Sequence, residues 1–283
     1  MTESSPRVPT VTLNNGVEIP QLGFGVFQIK PAETERATLD ALEVGYRHID
    51  TAEMYGNEAE VGRAVRQSSI DRSEIFVTSK LNNGFHRPEQ VQAAFRGTLD
   101  ALDLGYVDLF LIHWPLPTIG VDYLATWRAM EELLKGGDVR AVGVSNFQIS
   151  HLERLLDAGA TVPAVNQIEL HPYLTQDPLR EFDRAHGIAT EAWSPIAQGK
   201  VLDDPVIGAV AAAVERTPAQ VVLRWQIQRG EIVFPKSVTR SRVEENFALF
   251  DFALSGEQLA AITALNRNER TGPDPDTFDY IPK

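Results

Sequence analysis

The 283-residue chain has no cysteine, so disulfides and thiolate sites are excluded, in keeping with a reducing compartment. Positive charge is also scarce. With 26 Lys and Arg against 39 Asp and Glu, the formal net charge is -13, which removes the basic face that nucleic acid or an anionic lipid surface requires. An anionic ligand must instead meet a local cluster of cations. No apolar run reaches membrane-spanning length, and Met1-Thr-Glu-Ser-Ser-Pro6 has no basic stretch leading into an apolar one. Neither a membrane association nor an export signal is expected, and a cytoplasmic location is. The Gly-x-Gly-x-x-Gly fingerprint is absent as well, since Gly23-Phe24-Gly25 stands alone, so a dinucleotide would have to bind by another scheme. No linker rich in Gly, Ser or Pro divides the chain, and one domain over residues 1–283 is expected.

What is present is an ordinary globular composition, 43% apolar and 23% charged, enough to bury a sizeable core. Short Val/Ile/Leu-rich runs read as buried parallel strands: Leu22–Phe27, His48–Asp50, Ile75–Lys80, Val107–His113, Val139–Ser145, Ala164–Ile168, Ile188–Trp193 and Glu231–Lys236. Between them apolar residues recur at helical spacing over Glu33–Val44, Glu58–Gln67, Pro88–Leu102, Tyr123–Lys135, Ser150–Ala158, Pro178–His186 and Pro218–Gln228. Ser150 and Asp177 read as N-caps, and Thr217-Pro218 as a cap followed by a proline suited to a first helical turn. Two more helices, Arg240–Phe250 and Gly256–Leu265, follow the last strand. Eight alternating units predict a closed α/β (β/α)8 barrel, with an open doubly wound sheet as the alternative. Asn15-Gly16 between two short alternating runs predicts a β-hairpin capping one end, and Asn266–Lys283 reads as a loop-like tail.

In such a barrel the working residues sit at the C-terminal strand ends. Those ends carry Asp50, Lys80, His113, Ser145-Asn146, Gln167, Trp193-Ser194 and Lys236-Ser237. A single strand-end lysine is ordinarily a snorkelling one. Here Asp50, Lys80 and His113 end three successive strands and Tyr55 follows Asp50 in one short loop, so four titratable groups share a small volume. Their chemistry is complementary. A tyrosine titrates near pH ~10, too high for easy proton transfer at neutral pH. A lysine cation beside it stabilises the phenolate, Asp50 holds that lysine charged, and His113 can hydrogen-bond a carbonyl oxygen. This is equipment for protonating an oxyanion as hydride arrives, and hydride itself requires a cofactor. Lys236, Arg240 and Arg242 form a cationic cluster in an acidic chain, suited to a phosphate.

The strings Gly45-Tyr-Arg-His-Ile-Asp-Thr-Ala-Glu-Met-Tyr-Gly-Asn-Glu58, Leu111-Ile-His-Trp-Pro115, Val142-Gly-Val-Ser-Asn146, Asn166-Gln-Ile-Glu-Leu-His-Pro172 and Phe234-Pro-Lys-Ser-Val238 resemble the aldo-keto reductase superfamily. The likeness runs from Val11 to about residue 265 and is greatest to bacterial reductases related to 2,5-diketo-D-gluconate reductase. It implies a (β/α)8 barrel, usually monomeric, that reduces aldehydes or ketones with NADPH: small dicarbonyls, keto sugars or quinones. The family's catalytic tetrad falls on Asp50, Tyr55, Lys80 and His113. Its cofactor contacts fall on Ser145, Asn146 and Gln167 for the nicotinamide carboxamide, and on Trp193 for ring stacking, with Ser194 beside it. Lys236, Ser237, Val238 and Arg242 match the 2′-phosphate segment, and Glu245 and Asn246 the adenine contacts. Phe27 and Trp114 match aromatic walls of the substrate pocket. Asn82 stands where relatives often have Trp, so the likeness transfers least well to substrate shape; Phe278 or Tyr280 from the tail could close over the pocket.

Other readings carry less weight. His48-x-Asp50 places two metal ligands on one strand face, but Lys80 would set a cation beside the ion, and no metal is expected. A Schiff-base role for Lys80 is opposed by Asp50, which keeps it protonated. A barrel that binds nucleotide without catalysis would not need an ionisable Lys80 beside Tyr55. His86, His151 and His186, in a loop and two helices, read as surface residues.

Overall fold

Asn15 and Gly16 turn the chain back on itself. The Asn15 side chain accepts a hydrogen bond from the Val17 amide at 3.2 Å, and Gly16 adopts a φ of 84°, which only glycine takes without strain. In this computed structural model, which describes residues 8–282, the turn joins β1 (Thr10–Thr12) to β2 (Glu18–Pro20) as an antiparallel hairpin. Leu13 and Ile19 beneath it pack with Phe76, Leu109, Leu111, Ala141, Val165 and Ile232, closing the floor of the barrel. Asn14 donates to the Pro163 carbonyl and Asn15 to that of Arg140, both at 3.0 Å, pinning the plug in place. The N-terminal hexapeptide read for an export signal lies outside the described residues.

Eight strands follow, each pairing in parallel with the next: β3 (Phe24–Gly25), β4 (His48–Asp50), β5 (Phe76–Leu81), β6 (Val107–Ile112), β7 (Val139–Ser145), β8 (Val165–Glu169), β9 (Ala189–Trp193) and β10 (Ile232–Val233). The ring closes between its first and last members. Leu22 bridges Val233 in parallel, the Gly23 amide donates to the Val233 carbonyl at 2.8 Å, and the Gly25 amide to that of Pro235 at 3.2 Å. This is the expected (β/α)8 barrel. Along β6 the pleat is plain: Leu109 and Leu111 belong to the inner cluster, Phe110 and Ile112 to the outer core beneath the helices.

The helices are α1 (Pro31–Val44), α2 (Glu58–Gln67), α3 (Pro88–Leu102), α4 (Tyr123–Gly136), α5 (Ile149–Asp157), α6 (Asp177–Ala185), α7 (Pro205–Val214), α8 (Pro218–Arg229), α9 (Arg240–Phe247) and α10 (Gly256–Thr263). Two of them follow the last strand, as expected, and α9 packs between α8 and α1. Helix α7 was not expected. Its sequence, Pro-Val-Ile-Gly-Ala-Val-Ala-Ala-Ala-Val, has no polar face to set a period, and it starts on the Asp204 side chain capping the Val206 amide at 2.9 Å. Two caps differ from the sequence reading. Helix α5 is capped by Gln148, whose backbone N–H donates to His151 Nδ1 at 3.1 Å. Asp177 is the first residue of α6, and its carboxylate pairs with Arg180 and Arg229. Thr217 and Gln220 form the expected capping box of α8. Where α2 crosses α3, a Cβ on Gly62 would lie 1.9 Å from the Leu102 carbonyl oxygen, so close approach depends on glycine there. Among the described residues no single helix is long and apolar enough to cross a membrane.

Candidate active site

At the C-terminal mouth the four expected groups converge. Lys80 is fully buried, and its ammonium lies 2.9 and 2.8 Å from the two Asp50 oxygens, 2.9 Å from the Thr51 carbonyl and 3.3 Å from the Tyr55 hydroxyl. The short loop from β4 brings Tyr55 back over β5 through one 3-10 turn, Glu53–Tyr55. The His113 ring meets Tyr55 edge-on with centroids 5.7 Å apart, and Phe27 packs on Tyr55 at 4.9 Å between centroids.

Burial sets the electrostatics. It pushes the Tyr55 phenol up, while the Lys80 cation pulls it down and Asp50 raises it again; the net direction is upward. Lys80 alone predicts a lowered phenol, and burial outweighs it. For Lys80 burial opposes the charge, but the Asp50 carboxylate overrides it and the ammonium is held more firmly than usual. Burial, reinforced by Lys80, depresses His113 well below the usual histidine range, so its ring is neutral at neutral pH, with Nδ1 buried and unpartnered.

A second ring of groups surrounds these. The Asn146 amide donates to the His113 carbonyl at 2.9 Å and to Ser145 Oγ at 3.1 Å, and its oxygen accepts from the Trp193 indole at 2.8 Å. Ser145 Oγ donates to the Gln167 carbonyl at 2.9 Å. Ser194 turns the chain away at a φ of 53°. Lys236, Ser237 and Val238 follow β10, and Arg242, Glu245 and Asn246 lie on α9, a separate segment beside the mouth. Lys236 and Arg242 are exposed and make no ion pair among the described residues. Arg240 does not belong with them: it is neutralised by Asp40, Glu43 and Glu244 at 3.0, 2.5 and 3.1 Å. The cationic cluster therefore comprises two residues rather than three. Ser237 Oγ accepts from the Thr239 amide at 3.0 Å, and Glu245 accepts from Thr217 at 2.7 Å.

The tail folds over the mouth. Phe278 packs on Trp114 at 4.3 Å between centroids, whereas Tyr280 is mostly exposed. Asn82 caps the turn Asn83–Phe85 by accepting from the Gly84 amide at 2.9 Å, and its neighbour Asn83 donates to the Tyr280 carbonyl at 2.9 Å. Buried Glu169 anchors the same tail, accepting from the Thr271 amide and hydroxyl at 2.5 and 2.6 Å and the Gly272 amide at 3.1 Å. Gly272 lies so close to Trp193 that a Cβ would meet the indole at 2.5 Å.

Sequence reasoning missed Glu169, Asn83 and Glu191. Strand alternation would have found Glu191, two residues before Trp193 on the same face of β9. His86 and His151, read as surface residues, are 2% and 6% exposed, because His86 lies beneath the turn after β5 and His151 closes the cap of α5. His186 is exposed. His48 is spent on the Pro20 carbonyl and Thr78, at 3.3 and 3.1 Å, and burial keeps it neutral, with a pKa lowered to about 3. Among the described residues no group of three or more His, Asp or Glu is arranged around a metal position.

The model of the Aldo/keto reductase family matches residues 21–267, and the chain belongs to that family. It is thus an oxidoreductase, of a family that reduces carbonyl compounds and generally uses NAD(P)H. Among its relatives is a protein named methylglyoxal reductase DkgA from Yersinia pestis, 49% identical over 273 residues, covering 95% of this chain and 97% of the relative. Another is a glyoxal reductase from Bacillus subtilis, 48% identical over 269 residues, covering 94% and 96%. The crystal structure of an aldo/keto reductase from Brucella melitensis superposes with a TM-score of 0.88 at 50% identity, covering 92% of this chain and all of that one.

Proposed function

We propose that this chain is an NADPH-dependent reductase of small aldehydes and ketones, dicarbonyls foremost, in which Tyr55 is the general acid. The observation that carries the reading is the buried Lys80 ammonium, held by both Asp50 oxygens and still within 3.3 Å of the Tyr55 hydroxyl. A cation fixed there costs nothing to bring up when the phenol gives its proton away. Tyr55 donates that proton to the carbonyl oxygen, Lys80 steadies the phenolate left behind, and Asp50 keeps Lys80 charged. Neutral His113 hydrogen-bonds the same oxygen and orients it. Bound NADPH supplies the hydride, which no side chain can.

The residues fit that cofactor. Trp193 offers a flat, half-buried face at the mouth, with Ser145, Asn146 and Gln167 beside it for the carboxamide and Ser194 at the turn. Lys236 and Arg242, unpaired in a chain of net charge -13, suit a 2′-phosphate, with Ser237 and Val238 between them and Glu245 and Asn246 toward the adenine. The relatives' names, methylglyoxal and glyoxal reductase, favour a short dicarbonyl. Keto sugars and quinones are the wider range. Phe27, Asn82 and Trp114 are the proposed pocket wall, to which the tail adds Phe278. One barrel domain acting as a monomer in the cytoplasm is part of the same reading. The exposed large apolar residues, Phe27, Val238, Tyr280 and Ile281, belong to the mouth, the phosphate segment and the tail.

Titration of intrinsic tryptophan fluorescence with NADPH and NADH, followed by absorbance of the reduced nicotinamide with methylglyoxal present, tests it. NADPH-selective quenching with carbonyl-dependent oxidation is expected. Absence of binding would remove the proposal.

A further inference from the structure

The interior of the barrel holds an acid, Glu191, that the chemistry above does not use. Glu191 is fully buried on β9, where its pairing register sets it opposite Gln167 of β8 on one side and Ile232 of β10 on the other. The Gln167 amide nitrogen lies 2.8 Å from Asp50 Oδ1 and 2.8 Å from Glu191 Oε2, so its two hydrogens bridge the two carboxyl groups. Glu191 Oε1 is buried with no partner.

Charge counting decides its state. The charged groups acting on Glu191 are Asp50 from β4 and Lys80 from β5; β8 contributes only an amide. Lys80 is already committed to both oxygens of Asp50. An ionised Glu191 would be a second buried carboxylate one amide away from the first, with no cation of its own, and the interior does not tolerate that. The acid therefore accepts through Oε2 and is held in its neutral form.

This has two effects on the site. With both amide hydrogens spent inward, Gln167 keeps only its oxygen for the mouth, an acceptor suited to a carboxamide NH2. With Glu191 neutral, Lys80 balances Asp50 alone, and its remaining field acts on Tyr55. A proton lost from Glu191 adds a negative charge that makes the Tyr55 phenolate costlier.

We propose that Glu191 is a further positioning residue of this reductase: uncharged, it locks Gln167 against Asp50, and losing its proton disables the tetrad. The proposal rests on the reductase reading for its effect on turnover, while the protonation itself can be read without cofactor. Burial, reinforced by Asp50, pushes Glu191 up to about 8, which places the transition just above neutral pH.

The test compares wild type with Glu191→Gln and Glu191→Leu across that range. In infrared difference spectra of the cofactor-free protein, wild type should show the C=O stretch of a protonated carboxyl that titrates near pH 8, and Glu191→Gln should lack it. In NADPH-dependent reduction of methylglyoxal, wild-type kcat/KM should fall above that pH. Glu191→Gln, which mimics the neutral acid, should stay within about threefold of wild type at neutral pH and lose that decline. Glu191→Leu leaves an amide hydrogen unpaired and should lose about tenfold or more at neutral pH, largely through a raised KM for NADPH. The idea is overturned if no protonated-carboxyl band disappears in Glu191→Gln, or if that variant keeps the wild-type alkaline decline. A wild type that shows the band but never oxidises NADPH sinks the reductase reading and leaves the neutral acid standing.

Discussion

Asp108 and Asp50 are both buried carboxylates on barrel strands, one near the floor and one at the mouth. Asp108 accepts from Arg72 at 2.8 Å, Arg140 at 2.7 Å and the Val77 amide at 2.9 Å, and Arg72 also donates to the Tyr106 carbonyl at 2.9 Å. Asp50 accepts from Lys80 and Gln167, and Lys80 still reaches Tyr55. The floor spends all of its charge on holding strands together. The mouth keeps one contact in reserve, and a site differs from a brace in having such a reserve.

Substitution at each end should separate the two uses. Tyr55→Phe should lower carbonyl turnover by about 10²–10⁴ while thermal stability and NADPH affinity stay near wild type; unchanged turnover would end the assignment of Tyr55. Asp108→Asn should do the reverse. Leaving two arginines without a full carboxylate should cost on the order of 3 kcal/mol in denaturant unfolding, with kcat of the folded enzyme retained. A loss of kcat without a loss of stability would erase the contrast. Arg242→Ala tests the rim of the mouth, where removal of charge-assisted bonds should weaken NADPH by roughly 10–100-fold and leave NADH little changed. Equal losses for both would put the 2′-phosphate elsewhere.

The smallest expected effect concerns a third buried carboxyl. Asp183 on α6 sits behind the sheet, hydrogen-bonded by Thr190 at 3.0 Å and facing Asn166, and burial raises it to about 7. The folded state thus holds this proton more tightly than the unfolded chain does. Its contribution to stability is full below the ordinary carboxylate range and is lost as pH rises through about 7. Asp183→Asn should flatten that part of a stability–pH curve measured by urea unfolding, without moving the pH profile of turnover. A profile that shifts would mean the outer layer is coupled to the mouth.

Much of this was legible in the sequence. β4, β7, α2 and α3 have the boundaries read from periodicity, because each is bounded by a proline, a glycine or a charged residue. β3 and β10 are shorter than expected. Glycines at 23 and 25 and a proline at 235 leave little regular ladder where the ring closes, and single backbone bonds do the work there. The tetrad was readable because strand-end polarity and chain order coincide. Glu191 was not, since attention to the last residue of each strand passes over an acid in its interior, and Glu169 lies one residue beyond the end read for its strand, Ala164–Ile168. The tail partners of Asn83 and Glu169 join positions about 100 to 200 residues apart, a distance over which no local pattern extends.

The closure of the barrel also fixes when the protein can finish folding. The hairpin made first is pinned by carbonyls at Arg140 and Pro163, and the first barrel strand, paired on one side with β4, finds its second neighbour only at Val233. During synthesis, then, the hairpin waits for residues 140–163 to be pinned, and the free edge of β3 waits until most of the chain has left the ribosome. Contacts this distant in sequence make the last step slow and leave an unpaired strand edge exposed meanwhile. The newborn barrel is an open sheet, most vulnerable to aggregation in the interval before its final strand arrives.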